Sequence, residues 1–166
     1  MHEEGWWDTG QVCLNGHIVN QQVVAERDHC QAFCGTCGIL TIAACRHCRA
    51  SIRGVYHVSG SSVVETMPVL AYCLHCGRAY PWTDRRVQAA KELANELAQL
   101  KPPERELLQR SIEELLDDTP RTQLAVIRFK RLVAKAGPEA GIALREMLVN
   151  VVSEAVRRAI WGPYHP

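Results

Sequence analysis

Cys34-Gly35-Thr36-Cys37-Gly38 and, six residues later, Cys45-Arg46-His47-Cys48 form the stretch that decides the fold of the first half of this chain. Two cysteines separated by two residues can hold one metal ion from a tight turn, because the turn brings both thiolates to one side of the backbone. A glycine directly after the second cysteine, as at Gly38, permits the positive φ that such turns often adopt. The stretch therefore predicts two metal-binding turns, which we call knuckles.

Two further pairs of ligand-type residues flank this stretch. Cys13-Leu14-Asn15-Gly16-His17 precedes it and Cys73-Leu74-His75-Cys76-Gly77 follows it, so three pairs are C-x2-C and one is C-x3-H. Eight ligands suffice for two closed tetrahedral sites, one of three cysteines and a histidine and one of four cysteines. We therefore predict two Zn²⁺ ions per chain, held by Cys13, His17, Cys34, Cys37, Cys45, Cys48, Cys73 and Cys76.

The order of the pairs favours sequential sharing of the two metals. If the first pair shares a metal with the second, and the third with the fourth, each intervening stretch can close as a β-hairpin on its own ion, which is the arrangement of tandem zinc ribbons. In the second hairpin, residues 55–58 are predicted to lead out and Val63-Val64 to return after a turn at residues 59–62. The alternative is cross-brace pairing, first with third and second with fourth, as in a RING-like module.

Other uses of the cysteines fit the sequence less well. A disulfide framework belongs to an exported protein, and residues 1–8 lack the basic and then apolar pattern of a signal peptide. His17 and the wide spacing between pairs argue against an iron–sulfur cluster. Cys30 stands outside the pairs and is predicted to be a partly buried free thiol. A ligand role is the alternative for Cys30, since it lies four residues before Cys34.

The composition changes at residues 82–84. All eight cysteines precede this point, and good helix formers follow it. We predict an α+β chain, with a double zinc-ribbon domain of short antiparallel hairpins over residues 1–83 and an α-helical bundle of about four helices over residues 84–166. The first helix is expected to have Thr83 or Asp84 as N-cap, and the fourth to bury Ile142, Leu148 and Val156. The predicted helices span residues 84–100, 103–117, 120–136 with Thr119 as N-cap, and 138–160.

The charge distribution limits the classes of partner. The formal net charge is +1, and no apolar run reaches the roughly 18 residues of a membrane-spanning helix. Residues 1–84 hold 5 Arg and Lys against 7 Asp and Glu. Because a closed three-cysteine zinc site adds a charge of −1 and a four-cysteine site −2, this half carries a charge of about −5. Phosphate binding needs clustered cations, for which the candidates are Arg46, Arg49 and Arg53 near the second site and Arg128 and Arg131 on the third helix. A solvated face balanced by the acidic second helix is the alternative for the last two.

Several motifs extend beyond the ligands themselves. They are Gln11-Val12-Cys13-Leu14-Asn15-Gly16-His17, Cys34-x2-Cys37-Gly38, Cys45-x2-Cys48, Ile52-Arg53-Gly54-Val55-Tyr56-His57, and Tyr72-Cys73-x2-Cys76-Gly77 leading to Pro81-Trp82-Thr83. Together they resemble a bacterial family of unknown function in which paired zinc-ribbon knuckles precede a helical tail. The resemblance covers the first half of the chain well and the tail loosely. It implies zinc, a bacterial cytoplasmic setting and no established activity, and Cys30 is not part of its pattern.

The sequence predicts a non-catalytic zinc-binding protein. Eight ligands for two metals leave no open coordination position, and the motifs of zinc proteases, zinc deaminases and phosphate-binding glycine loops do not occur. We expect a protein–protein interaction or assembly module, whose partner is another protein or a second copy of the chain, with nucleic-acid binding as the alternative and no membrane role. Aromatic residues are favoured at interface centres, and the candidate anchors are Trp6, Trp7, Tyr56, Tyr80 and Trp82. Packing of the ribbon against the first helix is the competing interpretation for Tyr80 and Trp82, and the one we favour for Trp82.

Overall fold

The computed structural model describes residues 5–58, 66–117 and 119–163. Contacts between residues divide the chain into two compact units, Met1–Thr83 and Asp84–Pro166. Within these described residues, five short β-strands and one 3-10 turn come first along the chain, and five α-helices follow. The predicted α+β class is confirmed. In the described ranges, no helix is both long enough and apolar enough to cross a membrane.

The strands form two small antiparallel sheets in the first unit. β1 (Trp6–Thr9) pairs with β5 (Arg53–His57), which places Trp6 opposite His57 and Trp7 opposite Tyr56. β2 (Gln11–Cys13) is the centre of a three-stranded sheet, between β3 (Ile18–Asn20) and β4 (Thr41–Ile42). Since only Gly10 separates β1 from β2, the two sheets share one continuous backbone at this point.

The partner of β5 was not identified from the sequence. The sequence predicts a local hairpin in which Val63-Val64 returns after a turn at residues 59–62, and that segment lies outside the described residues. The described partner is β1, from the other end of the unit. A close backbone approach supports this placement, because a Cβ added at Gly54 would collide with the carbonyl oxygen of Gln21. Glycine is therefore required where β5 passes this segment.

A buried carboxylate fastens β1 to its surroundings. Asp8 accepts hydrogen bonds from the backbone N–H groups of Thr9 (2.6 Å), Val24 (2.8 Å) and Ala25 (3.2 Å), and its Oδ2 lies 2.9 Å from Nε2 of His57. Burial raises the pKa of Asp8, but these hydrogen bonds outweigh it and hold the pKa below its ordinary value. The ionised carboxylate therefore connects β1, β5 and the segment at residues 24–25.

The apolar core of the first unit is small and includes two of the predicted ligands. Its buried residues are Val12, Cys45, Ile52, Val55, Met67, Cys73, Tyr80 and Trp82. The rings of Tyr80 and Trp82 stack with centroids 4.5 Å apart, and Nε1 of Trp82 donates a hydrogen bond to the carbonyl oxygen of Leu70 (2.9 Å). Tyr80 and Trp82 thus belong to the core, so their prediction as exposed anchors is wrong and the packing interpretation of Trp82 is confirmed.

The helices of the second unit pack around one apolar core. They are α1 (Pro81–Glu96), which starts just before that unit, α2 (Pro102–Glu114), α3 (Thr122–Ala136), α4 (Pro138–Leu148) and α5 (Glu154–Trp161). The most deeply buried side chains of this core include Leu108, Ile112, Phe129, Leu132 and Leu144. Gly137 adopts φ of 107° between α3 and α4, as its predicted position at the end of the third helix requires.

Several helix boundaries differ from the predicted ones. α1 begins at Pro81, before the predicted N-cap at Thr83 or Asp84, because the Thr83 hydroxyl instead donates a hydrogen bond to the carbonyl oxygen of Ala71 (2.7 Å). α1 also ends at Glu96, although Leu97 and Leu100 still contribute to the core. α3 begins at Thr122, whose hydroxyl accepts a hydrogen bond from the N–H of Thr119 (2.9 Å), so the Thr119-Pro120 pair forms the preceding turn.

The predicted fourth helix is two helices. α4 ends at Leu148, and α5 begins after Ser153, whose hydroxyl oxygen accepts a hydrogen bond from the N–H of Val156 (3.3 Å). The intervening residues include β-branched valines, which favour helices weakly, and a serine is a preferred N-cap. The buried face of α4 consists of Ala140, Leu144 and Leu148. The predicted burial of Ile142 is wrong, since this residue is 61% exposed.

The Asp8 hydrogen bonds give a direct test of how β1 is held. Asp8→Asn should lower the free energy of unfolding by about 1–3 kcal/mol at neutral pH, because the amide nitrogen cannot accept the hydrogen bonds that the lost oxygen accepts. Since the folded-state pKa of Asp8 is lowered, this stabilisation is present at neutral pH and is lost only as the pH falls through that pKa. Urea unfolding of the zinc-loaded chain, followed by tryptophan fluorescence, measures the change in the free energy of unfolding.

The exposed Asp28→Asn variant is the matched control and should change the free energy of unfolding by less than about 0.5 kcal/mol. Equal stability of the two variants would contradict a fastening role for Asp8.

Candidate metal centres

Three of the four ligand pairs share one backbone turn. In each, the residue after the second cysteine donates its N–H to the carbonyl oxygen of the first cysteine, at 2.8 Å for Gly38, 2.9 Å for Arg49 and 2.9 Å for Gly77. The same three residues have positive φ, of 69°, 64° and 71°. Each turn is closed by a single antiparallel bridge, namely Phe33 with Leu40, Ala44 with Ser51 and Tyr72 with Ala79. The chain therefore repeats one knuckle three times.

Arg49 departs from this repeat in residue type. It is the one non-glycine residue with positive φ in the part of the chain that the structure describes, and it takes the place of Gly38 and Gly77. A left-handed conformation costs an L-residue with a Cβ roughly 1–2 kcal/mol relative to glycine. The arginine side chain is thus held beside the second pair of knuckles at a cost in local strain.

Cys13, His17, Cys34 and Cys37 form the first centre. Their ligand atoms all lie within 4.8 Å of one another. The Sγ atoms of Cys13 and Cys37 are 3.7 Å apart, and Nδ1 of His17 lies 3.3 Å from Sγ of Cys37. Sulfur and nitrogen ligands at about 2.3 and 2.0 Å from a tetrahedral zinc ion are separated from each other by roughly 3.5–3.8 Å. Both the donor set and the separations therefore fit Zn²⁺.

Cys45, Cys48, Cys73 and Cys76 form the second centre, again with all ligand atoms within 4.8 Å of one another. Sγ of Cys45 lies 3.8 Å from Sγ of Cys76, and Sγ of Cys48 lies 3.7 Å from Sγ of Cys73. These separations match the edges of a zinc tetrathiolate. The structure brings together both predicted sets of ligand residues, and it confirms sequential rather than cross-brace pairing.

The protonation chemistry of the cysteines favours a bound cation. Burial raises the pKa of Cys34 and Cys73, but backbone N–H donors two and three residues later outweigh it, and the pKa of each falls to about 6. At Cys48 the N–H of Ala50 lowers the pKa, but burial and the three neighbouring cysteines raise it to about 12. In the second centre the Cys73 thiolate therefore forms readily, while Cys48 resists ionisation. Zn²⁺ removes this conflict, because it supplies the positive charge that stabilises several thiolates at once.

The remaining cysteine and the knuckle histidines lie outside the two centres. Cys30 belongs to neither metal group and is exposed rather than partly buried, with Nδ2 of Asn20 3.7 Å from its sulfur. It is thus a free thiol, as predicted. His47 and His75 lie between knuckle cysteines and are exposed.

The arginines that were predicted to contact nucleic acid lie in two places. Arg46, Arg49 and Arg53 are exposed beside the second centre. On α3, Arg131 is exposed, but Arg128 lies 3.4 Å from the carboxylate of Glu114 on α2. Lys135 of α3 similarly contacts Glu104 of α2 at 2.6 Å. The acidic residues of α2 thus partly neutralise the basic face of α3, which favours the alternative of a solvated face there.

The β1–β5 pairing brings together two of the predicted aromatic anchors and one arginine predicted as a nucleic-acid contact, a grouping that the sequence did not predict. We call Trp7, Tyr56 and Arg53 the aromatic cluster. The rings of Trp7 and Tyr56 have centroids 4.8 Å apart, and the guanidinium carbon of Arg53 lies 4.5 Å from the centroid of the Trp7 ring. Trp7 is 51% exposed and Tyr56 42%. No local signal predicts this cluster, because its members meet only once β1 pairs with β5.

Comparison with known proteins identifies a family and no characterised relative. The model of a family described as "Uncharacterized protein conserved in bacteria (DUF2321)" matches residues 6–160. The resemblance to a bacterial family of unknown function is therefore confirmed, and the match includes the helical unit. Comparison with curated proteins gives no match, and comparison with solved structures gives none either.

The assignment of ligands is testable by substitution. Cys76→Ser should reduce the zinc content from two ions per chain to one, because a tetrathiolate site that loses one ligand no longer closes. The second pair of knuckles should then unfold locally, while the helical circular-dichroism signal of residues 84–166 is largely retained. Native mass spectrometry gives the zinc content.

Cys30→Ser is the matched control and should retain two zinc ions, since Cys30 lies outside both centres. Loss of zinc from the control would contradict the ligand assignment. A proportional loss of helix and zinc in Cys76→Ser would show that the two units unfold as one.

Proposed function

We propose that this chain, which belongs to the bacterial family DUF2321, is a non-catalytic interaction module that binds another protein through its aromatic cluster. The observation that carries the proposal is the contact of Trp7 with both Tyr56 and Arg53 on an exposed sheet. Tryptophan, tyrosine and arginine are the residue types that contribute most to binding energy at protein interfaces. All three occur here in one connected group.

The two metal centres support a scaffold role. Each offers four protein ligands, so neither leaves a coordination position for water or a substrate. Closed zinc sites give a small β-unit a fixed shape without a large apolar core. We place the module in the bacterial cytoplasm, because a reducing compartment keeps the cysteines available for zinc.

The sheet holds the aromatic cluster in a defined conformation. A Cβ added at Gly5 would collide with the ring of Tyr56, so that ring lies directly against the backbone before β1. Asp8 connects the same two strands through His57. Side chains that are ordered before binding lose less conformational entropy in a complex. The cluster is therefore suited to act as a preformed anchor.

A second candidate function is nucleic-acid binding. The observation that favours it is the concentration of exposed arginines beside the second centre, namely Arg46, Arg49, Arg53 and Arg78. Against it stands the overall negative charge of residues 1–84. Nucleic-acid binding of this kind should weaken steeply as salt is added, whereas binding centred on an aromatic anchor should not.

The proposal predicts different outcomes for two adjacent tryptophans. Trp7→Ala should reduce recovery of a crosslinked protein partner from the bacterial host by at least about tenfold, as expected for an interface anchor worth roughly 2 kcal/mol. Trp6→Ala is the matched control. Trp6 is 45% exposed, but it stacks on His57 at 4.3 Å, and successive residues of a strand point to opposite faces.

Quantitative mass spectrometry of the crosslinked material measures the effect, with zinc content confirming that both variants are folded. Equal recovery by the two variants would contradict the proposal. Recovery of nucleic acid alone, lost at high salt, would replace it with the second candidate.

A further inference from the structure

We infer that a cavity next to the aromatic cluster receives one carboxylate of the partner, so that the segment bound by this chain is an acidic peptide. The inference rests on the proposed function and names the chemistry of its partner. Arg53 belongs to both features, since it lies against Trp7 and also lines the cavity. A single ligand can therefore contact both.

The cavity has the size and donors for a carboxylate and part of its chain. Its volume is about 260 Å³. The residues that line it are Ser51, Arg53, Cys73, Leu74, His75 and Tyr80. The side chains of arginine, serine and histidine can donate hydrogen bonds to carboxylate oxygens. Cys73 brings part of the negative charge of the second centre to the cavity, and the arginines of this region offset that charge.

The Arg53 guanidinium lies over the Trp7 ring, with its central carbon 4.5 Å from the ring centroid, and this contact restrains it. In residues 5–58, 66–117 and 119–163 no carboxylate forms an ion pair with Arg53. A guanidinium fixed in this way can bind a carboxylate with two parallel hydrogen bonds at a small entropic cost.

The charge of the first unit is divided unequally between its two metal centres. Residues 43–83 carry the second centre, four arginines and one acidic residue, Glu65. With a charge of −2 on a zinc tetrathiolate, this region has a net charge of +1. Residues 5–42 carry the first centre, one arginine and three acidic residues. The net charge of the first unit is therefore negative, although the region around the cavity is positively charged.

The local charge favours a peptide carboxylate over a nucleic-acid strand. Residues 1–84 contain no lysine, and the positive region consists of four arginines. A polyanion gains affinity from many phosphate contacts, and the acidic region around the first centre would repel a strand that extended beyond the cavity. One carboxylate with a neighbouring apolar side chain needs only Arg53 and the Trp7–Tyr56 pair.

The test uses random dodecapeptides displayed on phage and selected on the zinc-loaded full chain. We expect the selected peptides to contain Asp or Glu near an aromatic or aliphatic residue.

Fluorescence polarisation then measures the affinity of synthetic peptides for the wild-type chain and for the Arg53→Gln and Arg53→Lys variants. Arg53→Gln should weaken binding at least about tenfold, the loss of one charge-assisted hydrogen-bonded pair. Arg53→Lys should recover part of the affinity, since it restores the charge without the paired donors. Arg27→Gln, at an exposed arginine that does not line the cavity, is the matched control and should have no effect.

A peptide in which the acidic residue is replaced by its amide gives the decisive comparison. It should bind wild type as weakly as the acidic peptide binds Arg53→Gln, and the two changes together should cost no more than either alone. If peptide binding depends on Trp7 but not on Arg53 or the carboxylate, the inference is overturned while the proposed function stands. If no peptide binds, or binding is independent of Trp7, the proposed function fails as well. Tighter Arg53-dependent binding of an oligothymidylate than of any peptide would also overturn the inference.

Discussion

Tetrahedral coordination of two cations by seven sulfurs and one imidazole nitrogen is the constraint on which the first unit depends. The apolar core that surrounds these centres is small, and Cys45 and Cys73 are part of it. So few buried side chains cannot offset the conformational entropy of a chain of this length. Without a cation the clustered sulfurs also oppose one another, as the raised pKa of Cys48 shows. Zinc binding at each centre is therefore coupled to the folding of the knuckles that hold it.

The same constraint determines what the surface presents. The bridge between Ala44 and Ser51 closes the knuckle of Cys45 and Cys48. β5 starts at Arg53, two residues after Ser51. The metal centre thus fixes where β5 leaves the knuckle, and the Asp8–His57 contact fixes how β1 lies against it. A cluster of exposed aromatic rings and a cavity lined by the Arg53 side chain follow from that geometry. Arg49, whose backbone conformation is strained, adds a further positive charge to the same region.

Local patterns in the sequence predicted the metal centres well, because the spacing of a knuckle is a property of one turn. The eight ligand residues and their sequential pairing could be derived from the C-x2-C and C-x3-H spacings together with loop closure. The β1–β5 pairing could not, since it joins segments more than forty residues apart and depends on a buried acid whose partners are backbone N–H groups. In the helical unit, the periodicity correctly placed Leu148 and Val156 in the core. The apolar periodicity continues through the break between α4 and α5, where a serine N-cap and β-branched residues interrupt the helix. For this reason the prediction wrongly placed Ile142 in the core.

X-ray absorption spectroscopy at the zinc edge tests the central claim most directly. Two closed centres predict a zinc-loaded chain with seven sulfur ligands and one imidazole nitrogen shared by two ions, and Zn–S distances of about 2.3 Å. The spectrum should contain no oxygen ligand. An oxygen ligand, or fewer sulfurs per zinc, would show that one centre has an open coordination position. That result would contradict a purely structural role for the metals and would direct attention to catalysis at the open centre.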